Sequence, residues 1–177
     1  MLIEELGGTY IKFGQALALQ PDILSLEYCN ELFDLLDKVS PFPYDQVEAR
    51  IVEELGRPPE ELFDSFESKP LASASIGQVH VAYLGGRKLA VKVQRPSVEQ
   101  DFVGDIQIML GAIQLIRRLR LKSLYWAIAP MSEFANWTRE EMDYLCEARY
   151  LEQLRTNAAD SPFERVPDIL KDLTTSR

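Results

Sequence analysis

The chain has 177 residues, of which 46% are hydrophobic and 27% are charged, and its net charge is −9 at pH 7. This length suits one ordinary domain, or one domain with a helical extension, and the apolar fraction is large enough for a buried core. The negative charge argues against nucleic acid as a partner, because binding to phosphate backbones needs clustered lysine and arginine.

The cysteines and the apolar runs set limits on metal sites and membranes. Cys29 and Cys146 are far apart and lack metal-ligand spacing, which predicts reduced thiols and no metal site on the cysteines. The most apolar stretch, residues 106–116, is too short to span a bilayer, and no signal peptide is recognisable. We therefore expect a cytoplasmic, peripheral membrane, mitochondrial or plastid location. The basic cluster at 117–122 is interpreted as compensation of a helix dipole, with a lipid-headgroup role as the alternative.

Helical periodicity predicts three helices in the first third of the chain, at 1–20, 26–39 and 44–55, followed by a short helical turn at 59–63. Gly14 lies in the middle of the first of them, where glycine costs about 1 kcal/mol relative to alanine. Its presence predicts the close approach of another element, although an amphipathic helix with one unfavourable residue explains the pattern equally well.

The segment from 66 to 95 predicts a small sheet. Residues 66–71 begin it, and a loop of small residues follows from Ala72 to Ser75. Two alternating apolar runs, 79–84 and 89–93, then flank Gly85-Gly86, which is a strong signal for a two-residue β-hairpin turn. His80, the only histidine, lies in the first run and is predicted to be structural.

Lys92 lies in the second run and alternates with Val91 and Val93, so its side chain points to the opposite face of the strand. One interpretation is a solvated lysine on the polar face of a half-exposed strand. The other is a phosphate-binding lysine, since a loop of small residues lets backbone N–H groups approach phosphate oxygens and a nearby lysine supplies the counter-charge.

After the hairpin, the pattern predicts a long helix at 97–120 with Ser97 as its N-cap, a break at 121–130, and an acidic helix at 132–157. Residues 162–170 are predicted to be extended, and 172–175 to turn into a strand.

The acidic helix carries three carboxylates of interest. Asp143 and Glu147 are four residues apart and share a helix face, whereas Glu141 points elsewhere. Such charge runs are usually solvated faces. The alternative is that one carboxylate pairs with Lys92, and breaking a partly desolvated pair of this kind costs several kcal/mol.

Four motifs in order along nearly the whole chain resemble the UbiB family of aarF-domain-containing kinases, an atypical branch of the protein-kinase-like fold. They are Lys12-Phe13-Gly14-Gln15, Leu71 to Val79, Ala90-Val91-Lys92-Val93, and Glu141-Met142-Asp143-Tyr144 with Glu147-Ala148. Ala72 and Ala74 stand where a conventional kinase has glycines, so the nucleotide is expected to be held differently. Ser73 also departs from the family, in which alanine is common at that position.

The resemblance implies a role for each motif. Lys92 contacts nucleotide phosphates and forms a buried ion pair with Glu147, and these two are the catalytic pair. The residues implied to cover the phosphates are Ala72, Ser73, Ala74, Ser75, Ile76 and Gly77. Those implied to close the cleft against a protein substrate are Lys12, Gly14, Gln15, Glu141 and Asp143. No residue of the chain is implied to ligate a metal.

The fold class implied is α+β: a kinase-like N-lobe, with a small antiparallel sheet and a helix of the αC type, preceded by a helical extension. We predict the extension at 1–64 and the lobe at 65–177, with the kinase C-lobe absent. The implied cofactor is ATP with Mg²⁺, whose metal ligands belong to the C-lobe. The resemblance further implies chemistry closer to ATP hydrolysis than to protein phosphorylation, and a link to ubiquinone or other isoprenoid lipids at membranes.

The implied function is therefore the N-terminal lobe of a UbiB-type kinase or ATPase, catalytically incomplete as this chain. Its expected partners are nucleotide, a lipid or membrane-bound complex, and a complementing C-terminal half. The alternative is a non-catalytic module that binds a partner chain through the surface that the C-lobe covers.

Overall fold

A computed structural model of the protein describes residues 8–18, 21–22, 24–33, 40–96 and 98–177. Helix α1 is Gly8–Ala18 and helix α2 is Leu26–Phe33. Both agree with the periodicity, and the rest of these two predicted helices lies outside the described residues. Ser97, the predicted N-cap of the later long helix, also lies outside them. No helix in these ranges is both long and apolar enough to cross a membrane.

Helix α3 (Tyr44–Leu55) has the predicted bounds, and α4 (Pro59–Leu62) begins where predicted and ends one residue earlier. Gly56 terminates α3 with φ 73°, a left-handed conformation that suits glycine, and its N–H donates to the carbonyl of Val52 at 2.9 Å. Pro59 opens α4 at the first helical position, where its missing N–H costs nothing.

The sheet is antiparallel and has four strands: β1 (Ser65–Phe66), β2 (Ala72–Ser73), β3 (Gly77–Leu84) and β4 (Arg87–Gln94). Strand β3 is central, with β4 along one edge and the two short strands along the other. Gly85 and Gly86 join β3 to β4 with φ of 57° and 75°, as a type I′ turn requires. The predicted hairpin is confirmed.

The small-residue segment is only partly a loop, contrary to the prediction. Ala72 and Ser73 pair with Val79 and Gln78 of β3, so they extend the sheet. The chain reverses directly after them, and the N–H of Ala74 donates to the carbonyl of Gly77 at 2.8 Å. A second, shorter hairpin therefore presents residues 74–77, which we call the alanine-rich tip.

The main core lies between α3, α4 and one face of the sheet. Its buried members are Phe42, Val47, Ile51, Leu62, Phe63, Ala82 and Val93. Gln78 fastens the segment before α3 to the sheet, since its buried amide accepts from the N–H of Phe42 at 3.1 Å and donates to that residue's carbonyl at 3.3 Å. Helix α3 thus packs with the sheet, and the domain division at residue 64 stays a prediction.

Two long helices follow the sheet and form an antiparallel helical hairpin. They are α5 (Val98–Arg118) and α6 (Ile128–Glu141), joined by a 3-10 helix at Lys122–Ala127. The predicted break at 121–130 is therefore shorter than expected, because α6 begins at Ile128 rather than at Ser132. Helix α7 (Tyr144–Asn157) comes next, and the chain ends beyond a 3-10 helix at Lys171–Leu173.

The prediction of one acidic helix from 132 to 157 is wrong, because Asp143 interrupts it. Asp143 has φ −107° and ψ 98°, and its carboxylate accepts from the N–H of Leu145 at 3.0 Å. An aspartate that caps a new helix in this way satisfies an N–H group that a continuous helix would have bonded to a carbonyl. The predicted C-terminal strand is also not formed within 158–177, where the N–H of Tyr144 instead pairs with the carbonyl of Ser176 at 3.0 Å.

Candidate functional site

Lys92 reaches from β4 to α7, where its Nζ lies 2.5 Å from Oε2 of Glu147. The alternation of the strand sets this direction, because Val93 beside it is buried in the main core. The two side chains are 43% and 50% exposed. The structure therefore brings the predicted partners together, but the expectation that their contact is buried is wrong.

Tyr144, which the sequence did not single out as a site residue, lies beneath this ion pair. The Lys92 ammonium is 4.5 Å from the centre of the Tyr144 ring, within the range of a cation–π contact. The ring is buried, and its hydroxyl has no hydrogen-bond partner among the described residues. Burial, and then the charge of Glu147, raise the pKa of Tyr144 well above its usual value. No sequence signal marks this role, since an aromatic residue in the first turn of a helix is usually core.

Gly77 lets the alanine-rich tip approach this pair. A Cβ on Gly77 would lie 2.5 Å from the carbonyl oxygen of Val93 and 2.6 Å from the hydroxyl of Tyr144, which is too close for any side chain. Glycine is therefore required here for close approach rather than for an unusual φ. Ile76 anchors the tip, packing with Val98 and Phe102 of α5 in a second buried cluster.

Lys12 brings a second ammonium to the same place from α1. It pairs with Glu141, the last residue of α6, and its side chain is only 16% exposed. Burial, and then the positive charge of Lys92, lower the pKa of Lys12 to about 8. Glu141 opposes this shift, but because its carboxylate is half-exposed its attraction is the weaker effect.

Of the remaining residues predicted to close the cleft, Gly14 lies where the prediction requires and Asp143 does not. Gly14 is buried in α1, as close packing of that helix requires, and the rings of Phe13 and Phe134 meet edge to face at 5.0 Å. The side chain of Gln15 lies outside the described residues. Asp143 does not join the lysines, because its two oxygens face Leu145 and Cys146 at the start of α7.

These groups enclose a cavity of about 610 Å³. Its lining combines both lysines, residues 74–77 of the alanine-rich tip, three glutamates and two aromatic side chains. The glutamates are Glu140, Glu141 and Glu147, and the aromatics are Trp137 and Tyr150. Ala72 and Ser73, which were predicted to cover a phosphate, are not part of this lining because they lie in β2.

The cavity places two ammonium groups beside the turn of a short hairpin, a combination that can hold phosphate oxygens. Both lysines line it, together with residues 74–77 of the alanine-rich tip. No three His, Cys, Asp or Glu side chains of the described ranges come together closely enough to hold a metal ion. Gln94 ties β4 to the residue that follows α6, since its buried amide donates to the carbonyl of Met142 at 2.7 Å.

His80 is fully buried in β3 and takes no part in the cavity. Its Nδ1 is 2.7 Å from the carbonyl of Glu67, which can only accept, so Nδ1 carries the proton and Nε2 accepts from Gln78 at 3.0 Å. Its ring stacks on Phe66 with centroids 5.1 Å apart. The sequence-based interpretation of His80 as structural agrees with these contacts.

The chain resembles several known proteins over nearly its whole length. The chloroplastic protein ACTIVITY OF BC1 COMPLEX KINASE 1 of Arabidopsis thaliana is 38% identical over 99% of this chain and 26% of its own length. The probable protein kinase UbiB of Pseudomonas aeruginosa is 38% identical over 97% of this chain and 33% of its own length. The chain thus spans about a quarter to a third of these curated relatives.

A solved structure agrees with the fold. The complex of Rv3197 with erythromycin from Mycobacterium tuberculosis matches with a TM-score of 0.66 and 29% identity, covering 99% of this chain and 44% of that one. The sequence pattern of the ABC1 atypical kinase-like domain matches residues 34–177, which include β4, α7 and the alanine-rich tip. These matches confirm the resemblance drawn from the four motifs and the kinase-like N-lobe with its helical extension: the chain belongs to the family of ABC1 atypical kinase-like proteins, whose members include UbiB.

Proposed function

We propose that this chain binds ATP through its phosphates and forms the nucleotide-binding portion of a UbiB-type atypical kinase or ATPase. The observation that carries the proposal is the placement of Lys92, whose Nζ is 2.5 Å from Glu147 and lines the same cavity as the alanine-rich tip. Glu147 holds the ammonium in position, and the half-exposed lysine remains accessible to an incoming anion. Positioning and charge neutralisation of this kind are what phosphoryl transfer requires from a protein.

The cavity has two lysines and three glutamates, so its ammonium groups, rather than its net charge, would bind an anionic ligand. Lys12 and Lys92 repel one another strongly enough to contribute to the lowered pKa of Lys12. A phosphate group bound between the two ammonium groups would relieve that repulsion. Mg²⁺, when bound with ATP, would neutralise further phosphate charge. In this proposal it arrives with the nucleotide, and Lys92 and the alanine-rich tip hold the phosphates.

Helix α1 closes the cavity in the proposed function. The Lys12–Glu141 ion pair and the Phe13–Phe134 contact fix α1 across the end of α6. A protein substrate would have to displace both contacts, whereas in this proposal a nucleotide would occupy the cavity with both contacts in place. This arrangement supports ATP hydrolysis rather than protein phosphorylation as the activity to which the chain contributes, and a link to ubiquinone or another isoprenoid lipid remains part of the proposal.

Isothermal titration of the chain with ATP and Mg²⁺ tests the proposal. We expect micromolar or weaker binding by the wild type and a loss of about 10–100-fold in Lys92→Ala, as for removal of a charged hydrogen-bond partner. Lys88→Ala is the matched control, because Lys88 is exposed on the same face of β4 and does not line this cavity. Equal affinity of Lys92→Ala and the wild type would refute the proposal.

The alanine-rich tip provides a second test of the same site. Ala74 lines the cavity, whereas Ala72 lies in β2 and does not. Glycine at position 74 would widen the conformational range of the tip, so Ala74→Gly is expected to change ATP affinity or nucleotide preference. Ala72→Gly is expected to have the smaller effect of the two. If neither substitution changes binding, the tip does not cover the phosphates.

A second candidate function, a non-catalytic binding module, is favoured by the outer edge of β4. Within the described ranges β4 pairs only with β3, so its other edge offers unsatisfied backbone groups. A cavity of about 580 Å³ adjoins this strand, with α7 and residues 167–177 on its other sides. A module of this kind would give no heat with ATP and would co-elute with a partner chain on size exclusion.

A further inference from the structure

The far end of the helical hairpin carries a surface that the proposed function does not use. We call residues 117–126 the distal patch, and its sequence is Arg-Arg-Leu-Arg-Leu-Lys-Ser-Leu-Tyr-Trp. All ten residues are exposed, including Leu119 at 58% and Trp126 at 63%. Five large apolar side chains and four cations share this short stretch. Exposed leucines occur singly on most proteins, but such a concentration marks an interaction site.

The distal patch is remote from the cavity. Val98 at the start of α5 packs near Met142, which directly follows α6, so the two open ends of the hairpin meet beside the alanine-rich tip. Helix α5 has 21 residues and α6 has 14. At 1.5 Å per residue the hairpin extends roughly 20–30 Å away from that point. The patch lies at its apex, beyond the reach of a nucleotide in the cavity.

The cations of the distal patch are not neutralised by the protein. Arg117, Arg118, Arg120 and Lys122 form no ion pair with any described residue. No aspartate or glutamate occurs between Asp105 and Glu133, although the whole chain has a net charge of −9. The positive charge is therefore local and available to an anionic surface.

Arg120 has the least favourable backbone of the patch. Its φ is 52°, and it is the only residue other than glycine with a positive φ in the described ranges. The N–H of Leu121 donates to the carbonyl of Ile116 at 3.0 Å, and that of Arg120 to Arg117 at 3.2 Å, which is the bonding of a helix end that normally takes glycine. An arginine is thus kept at a position where stability favours glycine, and such departures concentrate at functional positions.

We propose that the distal patch docks on the surface of an anionic lipid bilayer. Trp126, Tyr125 and the leucines would enter the boundary between headgroups and acyl chains, where aromatic rings with one polar end are favoured. The guanidinium and ammonium groups would meet lipid phosphates, and the stems of these side chains would cover apolar surface. Nucleic acid is disfavoured by the overall negative charge and by the leucines. The proposal does not depend on nucleotide binding.

Two single-tryptophan variants test the contact directly. The chain has two tryptophans, Trp126 and Trp137, so Trp137→Phe leaves only the patch residue as a fluorophore and Trp126→Phe leaves only the other. With vesicles of phosphatidylcholine and phosphatidylglycerol, we expect a blue shift from the first variant and none from the second. A blue shift of Trp126 on raising the protein concentration without vesicles would indicate self-association and overturn the proposal.

Arg120→Gly separates lipid binding from folding. We expect the variant to sediment with the mixed vesicles about fivefold more weakly, as for one cation lost near an anionic surface, while its melting temperature stays equal or rises. Arg57→Gln, an exposed cation outside the patch, should bind the vesicles like the wild type. ATP affinity should not change in either variant, so a failed nucleotide titration leaves this test intact.

The ionic conditions complete the test. Binding should be weak to vesicles of phosphatidylcholine alone, and binding to the mixed vesicles should fall as salt is raised, because the cations are exposed and screened. Equal binding to both vesicle types, or equal binding by Arg120→Gly and the wild type, would overturn the proposal.

Discussion

Two lysine–glutamate ion pairs meet at the cavity, and they differ in what positions the lysine. Lys92 is set by the register of β4, whose neighbouring valines are held in the main core. Lys12 reaches the cavity because α1 packs on neighbouring helices, with Phe13 against Phe134 of α6. The difference indicates that the strand lysine stays in place whether or not α1 is docked. The helix lysine, in contrast, is a contact that can be released, at the cost of exposing a side chain that is now mostly buried.

The largest effect on stability is expected at Gly77, where the alanine-rich tip packs closely beside the Lys92–Glu147 ion pair. Gly77→Ala places a methyl group against the Val93 carbonyl and the Tyr144 hydroxyl, so either β3 or α7 must move. Overpacking of this kind costs about 1–3 kcal/mol, and urea unfolding should show a loss near the upper end. Gly104→Ala makes the same chemical change on α5 with nothing within 4 Å, and should stabilise the chain slightly. An equal response of both variants would mean that the tip does not pack on Tyr144.

The Lys12–Glu141 ion pair can be tested by its dependence on pH. The pKa of Lys12 is about 8 in the folded chain and 10.5 in the unfolded chain. Between those pH values the folded state therefore binds fewer protons than the unfolded state. The free energy of unfolding should therefore rise with pH across this window, by roughly 1–3 kcal/mol relative to Lys12→Met, which cannot titrate. Taking the difference between the two proteins removes the titration of other lysines and tyrosines. A difference that stays flat from pH 7 to 11 would show that Lys12 is solvated and that α1 does not cover the cavity.

The Lys92–Glu147 ion pair itself should contribute little to stability. Lys92 and Glu147 are each about half exposed, and exposed ion pairs contribute about 0–1 kcal/mol. A double-mutant cycle with Lys92→Met and Glu147→Gln measures their coupling, which we expect to be below about 1 kcal/mol by urea unfolding. A coupling of several kcal/mol would mean that the pair is desolvated. A small coupling together with lost ATP affinity in Lys92→Met would assign the pair to ligand binding rather than to folding.

Much of the fold follows from local patterns in the sequence. The alternation around Lys92, the glycine pair at 85–86 and the stop at Gly56 each have one satisfactory backbone solution, and the structure contains it. The pairing of Lys92 with Glu147 came instead from family resemblance, because 55 residues separate them and no local pattern encodes that contact. The break at Asp143 was missed since an acidic run within a helix and an aspartate at a helix start look alike. The exposure of the Lys92–Glu147 ion pair depends on which residues cover the cavity, and hydrophobic periodicity does not predict those residues.

The smallest effect on stability is expected from removing the Tyr144 hydroxyl, which lies beneath the Lys92–Glu147 ion pair. The Tyr144 hydroxyl is buried without a hydrogen-bond partner among the described residues, so it loses its hydration on folding and gains nothing in exchange. Tyr144→Phe keeps the ring below Lys92 and should leave stability unchanged or raise it by up to about 1 kcal/mol in thermal unfolding. Tyr144→Leu removes the ring as well and should weaken ATP binding more than Tyr144→Phe does, because the cation–π contact no longer orients the ammonium. If Tyr144→Phe were instead clearly destabilised, the hydroxyl must have a partner such as bound water, and its role would be to position Lys92 through that partner.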